Sequence, residues 1–209
     1  MTRITYAQIA GTAYLGIFFA AIFANFVVLE AIKADPLGTV AQHGTLVRLG
    51  IAAFWGTVVL DVVVAWALYR LYEDQPFSGL STLFRVLHAA LMAAALIFLQ
   101  QVLRPGTVSE ILTQVDRFEG VWLIGLFFFG IHLILLARIL GNPRWLAMLL
   151  TIAGVMYMVD TLAHSLLGNY EAYAGVLLAL VALPSVLGEM GFAVWLLIRG
   201  GREGDGLDD

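Results

Sequence analysis

Six long apolar segments, separated by short polar or Gly- and Pro-containing connections, make up most of the 209-residue chain. A bilayer core about 30 Å thick is crossed by roughly 20 helical residues, and each segment reaches that length. Strands of a membrane barrel would be shorter and would alternate apolar with polar residues. The pattern therefore predicts an all-α, polytopic transmembrane bundle of six helices. Its spans are residues 7–32, 49–71, 83–103, 120–140, 145–167 and 173–198.

The connections between spans contain the residues that end helices. Asp35-Pro36, Arg104-Pro105-Gly106 and Gly141-Asn142-Pro143 are examples, and Gly and Pro punctuate helices in this way. Short connections favour antiparallel neighbours. For the loop at 108–118 we expect a short amphipathic turn at the membrane surface, with Ile111 and Val115 on one face and directed toward lipid.

The distribution of Lys and Arg predicts an orientation. An even number of spans places both termini on one side of the membrane. That side carries seven basic residues: Arg3, Arg70, Arg85, Arg138, Arg144, Arg199 and Arg202. The other side carries four: Lys33, Arg48, Arg104 and Arg117. Because basic loops stay in the cytoplasm, we expect an N-in/C-in protein in the cytoplasmic membrane of a bacterium.

Composition narrows the function classes. Only 12% of residues are charged and 61% are hydrophobic, whereas a soluble domain carries about 25% charged residues. The absence of cysteine excludes disulfides and thiolate metal sites. Basic residues are not clustered as in a nucleic-acid binder. We expect one transmembrane domain over residues 1–199, followed at 200–209 by a disordered acidic tail.

Several ionisable residues lie inside the predicted spans, where each costs about 2.5–3.5 kcal/mol at mid-helix. Such groups usually face the interior of a bundle. Asp61, His132 and Glu189 fall within about two helical turns of the midplane. Asp160 and His164 are four residues apart and share one face of the fifth span. A structural role as hydrogen-bonded ties between helices stays open for all of them, and Arg85 is expected to snorkel to the boundary.

Pro184 gives the sixth span a specific feature. It cannot donate a hydrogen bond to the carbonyl of Leu180, so a kink with a freed carbonyl is expected there. Ser185 follows it directly, and Glu189 lies one turn further on. We hypothesise that these residues line a small polar cavity with Asp61 and His132 opposite, the alternative being an ordinary kinked helix.

Six short motifs together resemble a known family. They are IAGTAYL at 9–15, RLGI at 48–51 leading to Asp61, FGIHL at 129–133, PRWL at 143–146, GVMYMVD at 154–160 and PSVLGE at 184–189. The chain resembles, over nearly its whole length, a bacterial six-helix membrane family catalogued as domain of unknown function 4386. The resemblance implies six helices and membrane residence and supplies no activity. Such proteins tend to carry Arg-x-x-Glu early in the third span, where this chain has Arg85 and His88.

These observations leave two main function classes. The first is binding or transport of a small solute or lipid through a protonatable cluster of Asp61, His132 and Glu189, with Asp160, His164 and Ser185 as further candidate residues. The second is a non-catalytic accessory component of the membrane.

Two further functions are less favoured. One is an intramembrane metal-dependent enzyme that uses the Asp160 and His164 pair. The other is haem binding between His88 and His132. We therefore assign no cofactor, no catalytic residue and no metal ligand. The expected partners are the lipid bilayer and a small-molecule or lipid ligand, without nucleic acid, and homo-oligomer formation stays open.

Overall fold

The computed structural model of the protein describes residues 1–202. Most of the predicted disordered tail, residues 203–209, lies outside the described part. Within residues 1–202 the structure contains helices and no strand. Six helices are long and apolar enough to cross a membrane, so the predicted all-α bundle of six spans is confirmed. We label them α1 (Arg3–Ala34), α2 (Gly44–Leu71), α3 (Ser78–Gln101), α4 (Val108–Leu140), α5 (Arg144–Leu166) and α6 (Ala174–Ile198).

Helix α1 contains a π-helical stretch, Phe23–Leu29, before it returns to α-helix at Glu30–Ala34. In this region the side-chain amide of Asn25 donates to the carbonyl of Ala21, at 2.9 Å. This bond satisfies a polar side chain within its own helix, as the membrane requires. A short helix, Pro36–Gln42, then leads to α2.

Helix α4 begins at Val108, and this corrects the predicted surface turn at 108–118. Thr107 and Glu110 form a capping box, in which the Glu110 amide donates to Thr107 Oγ1 at 3.3 Å and the Thr107 amide donates to Glu110 Oε2 at 2.7 Å. Ile111 and Val115 are 3% and 1% exposed and pack in the protein interior. Their shared face was predicted correctly, but it meets protein and not lipid.

The six helices form a closed ring. Each span packs against the next one in the chain, and α6 returns to pack against α1. The closing contact is tight at Gly11 on α1, because a Cβ there would lie 2.7 Å from Leu197 Cγ on α6. One turn along, the rings of Tyr14 and Phe192 meet edge to face with centroids 5.8 Å apart. We call the side of the bundle that carries both ends of the described chain the terminal side, and the opposite side the far side.

Two apolar clusters fill the ring at different depths. The terminal-side cluster includes Leu68, Leu133 and Phe192, and takes residues from α1, α2, α4, α5 and α6. The far-side cluster includes Phe54 and Phe118, and takes residues from α1 to α4 and their connections. On α2, Asp61 lies between Val58 of the far-side cluster and Val64 of the terminal-side cluster, so this buried polar residue is near mid-depth.

Candidate functional site

Arg85 on α3 is the centre of the polar layer and is 1% exposed. Its Nη2 lies 2.6 Å from Oδ1 of Asp61 on α2, which makes a buried ion pair. Its Nη1 donates to the Tyr14 hydroxyl and lies 3.2 Å from Nε2 of His132. The guanidinium also stacks over the rings of Tyr14 and Phe129, 4.5 and 5.2 Å from their centroids. One cation thus joins α1, α2, α3 and α4.

The contacts of His132 determine its tautomer. Arginine has only hydrogen-bond donors, so Nε2 of His132 must accept from Arg85. The proton of the neutral ring is then on Nδ1, which lies 2.8 Å from Ser81 Oγ and 3.0 Å from the Ser81 carbonyl oxygen. His132 therefore acts as a neutral link between α3 and α4, with both ring nitrogens occupied.

His88 lies one turn beyond Arg85 on α3. Its Nε2 is 3.7 Å from Oδ2 of Asp61, a distance too long for a hydrogen bond. Its ring packs on Phe129 with centroids 4.8 Å apart. An imidazole therefore faces the second oxygen of Asp61.

Glu189 on α6 approaches the polar layer from the other side of the ring. The hydroxyl of Tyr157 on α5 donates to its Oε1 at 3.1 Å. Within the described part of the chain no Lys, Arg or His nitrogen lies within 4.0 Å of this carboxylate. Ser185, next to Pro184, donates to the carbonyl of Val181 at 2.7 Å. Glu189 is thus a membrane-embedded acid held by a tyrosine. Among residues 1–202 the cation that acts on its charge is Arg85, which lies across the cavity and beyond ion-pair distance.

A cavity of about 180 Å³ lies between Arg85 and Glu189. All six helices contribute to its wall. The polar lining residues are Tyr14, Thr57, Asp61, Arg85, His88, Tyr157, Ser185 and Glu189, and the apolar ones include Phe18, Met92, Trp122, Leu126, Phe129 and Met190. Val186, which is 46% exposed, also belongs to the wall. The cavity is therefore not sealed from the surface of the bundle.

The structure separates the predicted site residues into two groups. Asp61, Ser185 and Glu189 line the cavity, and His132 lies behind Arg85 in the same network. Asp160 and His164 do not line it. Asp160 accepts from the Tyr170 hydroxyl at 2.9 Å, and the His164 ring packs against the Tyr170 ring with centroids 4.7 Å apart. This second group lies toward the far end of α5.

Arg85 is the main residue that the sequence analysis missed. The expectation that it snorkels to the boundary is wrong, because it points into the bundle and pairs with Asp61. One signal was available: a basic and an acidic residue in neighbouring spans are commonly paired inside membranes. Tyr14, Ser81 and Tyr157 were missed because hydroxyl side chains are common in membrane helices and give no comparable signal.

The arrangement of His, Asp and Glu side chains in the described residues does not match a metal or haem site. No group of three or more His, Asp or Glu side chains in residues 1–202 is arranged to hold a metal ion. Both nitrogens of His132 are engaged by Arg85 and Ser81, so this ring has no free lone pair for an iron ion. The haem hypothesis with His88 and His132 therefore does not fit the geometry.

The fold and this site define a multi-pass membrane protein with a polar cavity at the centre of a six-helix ring. The chain belongs to the family described as Domain of unknown function (DUF4386), whose model matches residues 9–200. A relative from Archaeoglobus fulgidus, described as an uncharacterized protein, is 32% identical over 149 residues, which covers 68% of this chain and 78% of the relative. No solved structure matches the chain significantly.

Proposed function

We propose that the protein binds a small organic cation in the central cavity, with Glu189 as the residue that recognises its charge. The observation that carries this proposal is the position of Glu189. It is a carboxylate at the wall of a membrane-embedded cavity, and among the described residues its hydrogen-bond partner is the neutral Tyr157.

Charge balance supports a positively charged ligand. Arg85 and Asp61 compensate each other at 2.6 Å, and His132 is a neutral acceptor and donor. Among the described residues Glu189 has no ion-pair partner within 4.0 Å, and Arg85, which attracts it across the cavity, is already paired with Asp61. An ionised carboxylate without a close partner is costly inside a membrane. Either a proton or the cationic group of a ligand removes this cost. Binding is therefore expected to exchange a ligand cation for a proton on Glu189.

The rest of the wall defines the other part of the ligand. Phe18, Trp122 and Phe129 supply aromatic rings, and aromatic faces attract cations and pack against apolar groups. A cavity of about 150 Å³ accommodates a molecule of the size of benzene, so about 180 Å³ fits a small amine. A complete phospholipid is too large for this space, which favours a small solute over a lipid as the cavity ligand.

Transport is the functional extension of this binding. We infer that proton exchange at Glu189 would couple solute movement to a proton gradient. The proposal includes an N-in/C-in orientation in the cytoplasmic membrane of a bacterium. Its support is that six of the eleven basic residues lie on the terminal side and four on the far side, once the buried Arg85 is left out of the count.

Three probes of matched size test the proposal. Purified protein in detergent is titrated with benzylamine, benzyl alcohol and benzoate, which are cationic, neutral and anionic at pH 7. Trp122 lines the cavity, so its fluorescence reports binding. We expect benzylamine to bind most tightly and to release a proton, measured by calorimetry in buffers of different ionisation enthalpy.

Glu189→Gln removes the charge and keeps the shape of the side chain. It should weaken benzylamine binding at least about tenfold, or about 1.4 kcal/mol, and abolish the proton release. Glu30→Gln is the matched control, because Glu30 is exposed and pairs with Lys33 at 3.4 Å. Tighter binding of benzoate than of benzylamine, or no response to any probe at millimolar concentration, would overturn the proposal.

A further inference from the structure

A second concave surface lies outside the helix ring, between α5 and α6 on the terminal side. This groove has a volume of about 1030 Å³, several times that of the central cavity. Its polar end is formed by Asn142, Trp145, Trp195 and Arg199, and its deeper part by residues such as Leu149 and Met190. The groove faces the hydrocarbon of the membrane, so the molecules that can enter it are lipids of the bilayer.

The polarity of the groove changes along the membrane normal. From Val186 to Arg199, α6 rises about 20 Å, whereas one leaflet contributes about 15 Å of hydrocarbon. Arg199 directly follows α6, and Asn142 lies two residues before the start of α5, so both lie at the membrane boundary. Trp145 and Trp195 accompany them, at the depth where aromatic residues meet the headgroups. The groove thus has the length and polarity of one lipid with its headgroup at Arg199.

The charge of the polar end favours one headgroup class. Arg199 is exposed and forms no side-chain ion pair with any residue in the described range 1–202. None of the residues that line the groove is acidic. A guanidinium binds phosphate oxygens with two parallel hydrogen bonds, and basic residues at a membrane surface attract anionic lipids.

Gly191 keeps the middle of the groove open. A Cβ at this position would lie 3.5 Å from the indole of Trp145 and 3.4 Å from Leu146 Cδ1. A larger side chain would therefore fill the space beside the indole, where an acyl chain would lie.

We propose that the α5–α6 groove is a specific site for one phospholipid with an anionic headgroup, held by Arg199 at the phosphate and by Trp145 and Gly191 along an acyl chain. Val186 and Met190 line both this groove and the central cavity. The bound chain therefore borders the cavity wall, although the lipid site does not depend on the ligand proposed for the cavity.

The test uses the full chain in mild detergent and native mass spectrometry. The probes are phosphatidylglycerol and phosphatidylcholine with identical acyl chains. We expect one phosphatidylglycerol to be retained per protein, at least about fivefold more than phosphatidylcholine. Arg199→Gln should remove this preference. Arg144→Gln is the control, since it removes the same charge near the same surface from a residue outside the groove, and it should leave retention within about twofold.

A second variant tests the acyl-chain part of the site. Gly191→Leu should lower the retention of both lipids by filling the groove, and its thermal unfolding shows whether the bundle is intact. Equal retention of the two lipids by the unmodified protein would overturn the proposal, as would equal losses in Arg199→Gln and Arg144→Gln. Because Arg199→Gln changes an exposed side chain, this comparison stands even where Gly191→Leu fails to fold.

Discussion

Gly130 on α4 and Gly154 on α5 face each other so closely that a Cβ on either one would lie 2.5 Å from the carbonyl oxygen of the other. The two backbones therefore touch at mid-depth. Lipid tails are as apolar as the helices, so helices associate in membranes by close packing, and small residues allow it. This contact sets the position of Tyr157, one turn from Gly154, against the cavity.

Gly130→Ala is expected to destabilise the bundle by about 1–3 kcal/mol, the usual range for overpacking. The added methyl group forces α4 and α5 apart, because a backbone carbonyl cannot move aside as a flexible side chain does. Reversible unfolding in mixed micelles measures the change. Gly56→Ala is the control, since nothing lies within 4 Å of a Cβ at Gly56 in α2. It should be neutral or should stabilise the protein by about 0.5–1 kcal/mol, and equal losses in both variants would contradict this account.

For the buried pair of Arg85 and Asp61, removing one charge should destabilise the protein more than removing both. Asp61→Leu leaves the guanidinium uncompensated and should cost about 3–5 kcal/mol. The double variant Asp61→Leu with Arg85→Met should be less destabilised than this single variant, because it removes both charges. Thermal unfolding of the two variants measures this difference in stability. Arg70→Gln breaks the exposed pair with Glu73 and should cost at most about 1 kcal/mol.

The first turns of α4 predict a stability difference along one helix. Ile111→Ala should destabilise by about 2–5 kcal/mol, because its side chain is buried between helices. Val108→Ala, one turn earlier at a 42% exposed position, should change stability by at most about 0.5 kcal/mol. Unfolding midpoints in detergent measure both. A loss for Ile111→Ala no larger than that for Val108→Ala would show that the segment lies on the surface.

The hydrogen bonds of His132 predict a single protonation form. Nitrogen-15 NMR of the histidine-labelled protein should show a neutral ring with its proton on Nδ1, because Arg85 occupies Nε2 as a donor. The His132 signal is assigned as the one that disappears from the spectrum of His132→Asn. A signal with the proton on Nε2, or on both nitrogens, would show that Arg85 does not donate to this ring.

Much of the fold could be predicted from the sequence. The six spans follow from segment length and apolar character alone, because a helix in lipid must satisfy its backbone within its own residues. Local signals also placed Ser185 and Glu189 on one side of α6, since their spacing fixes a shared face. The same reasoning identified Asp61 as a residue that has to face the interior, and its pairing with Arg85 agrees with that rule.

Other features depended on which helices are neighbours. The sequence by itself determined that six helices cross the membrane and that their scarce charges need partners. Only the tertiary structure decided that Arg85 reaches inward to Asp61, that Ile111 and Val115 meet protein, and that Asp160 and His164 lie apart from the cavity. The reason is physical: periodicity defines the face of a helix, but lipid and a neighbouring helix are both apolar, so which of them covers that face is settled by the packing of the whole ring.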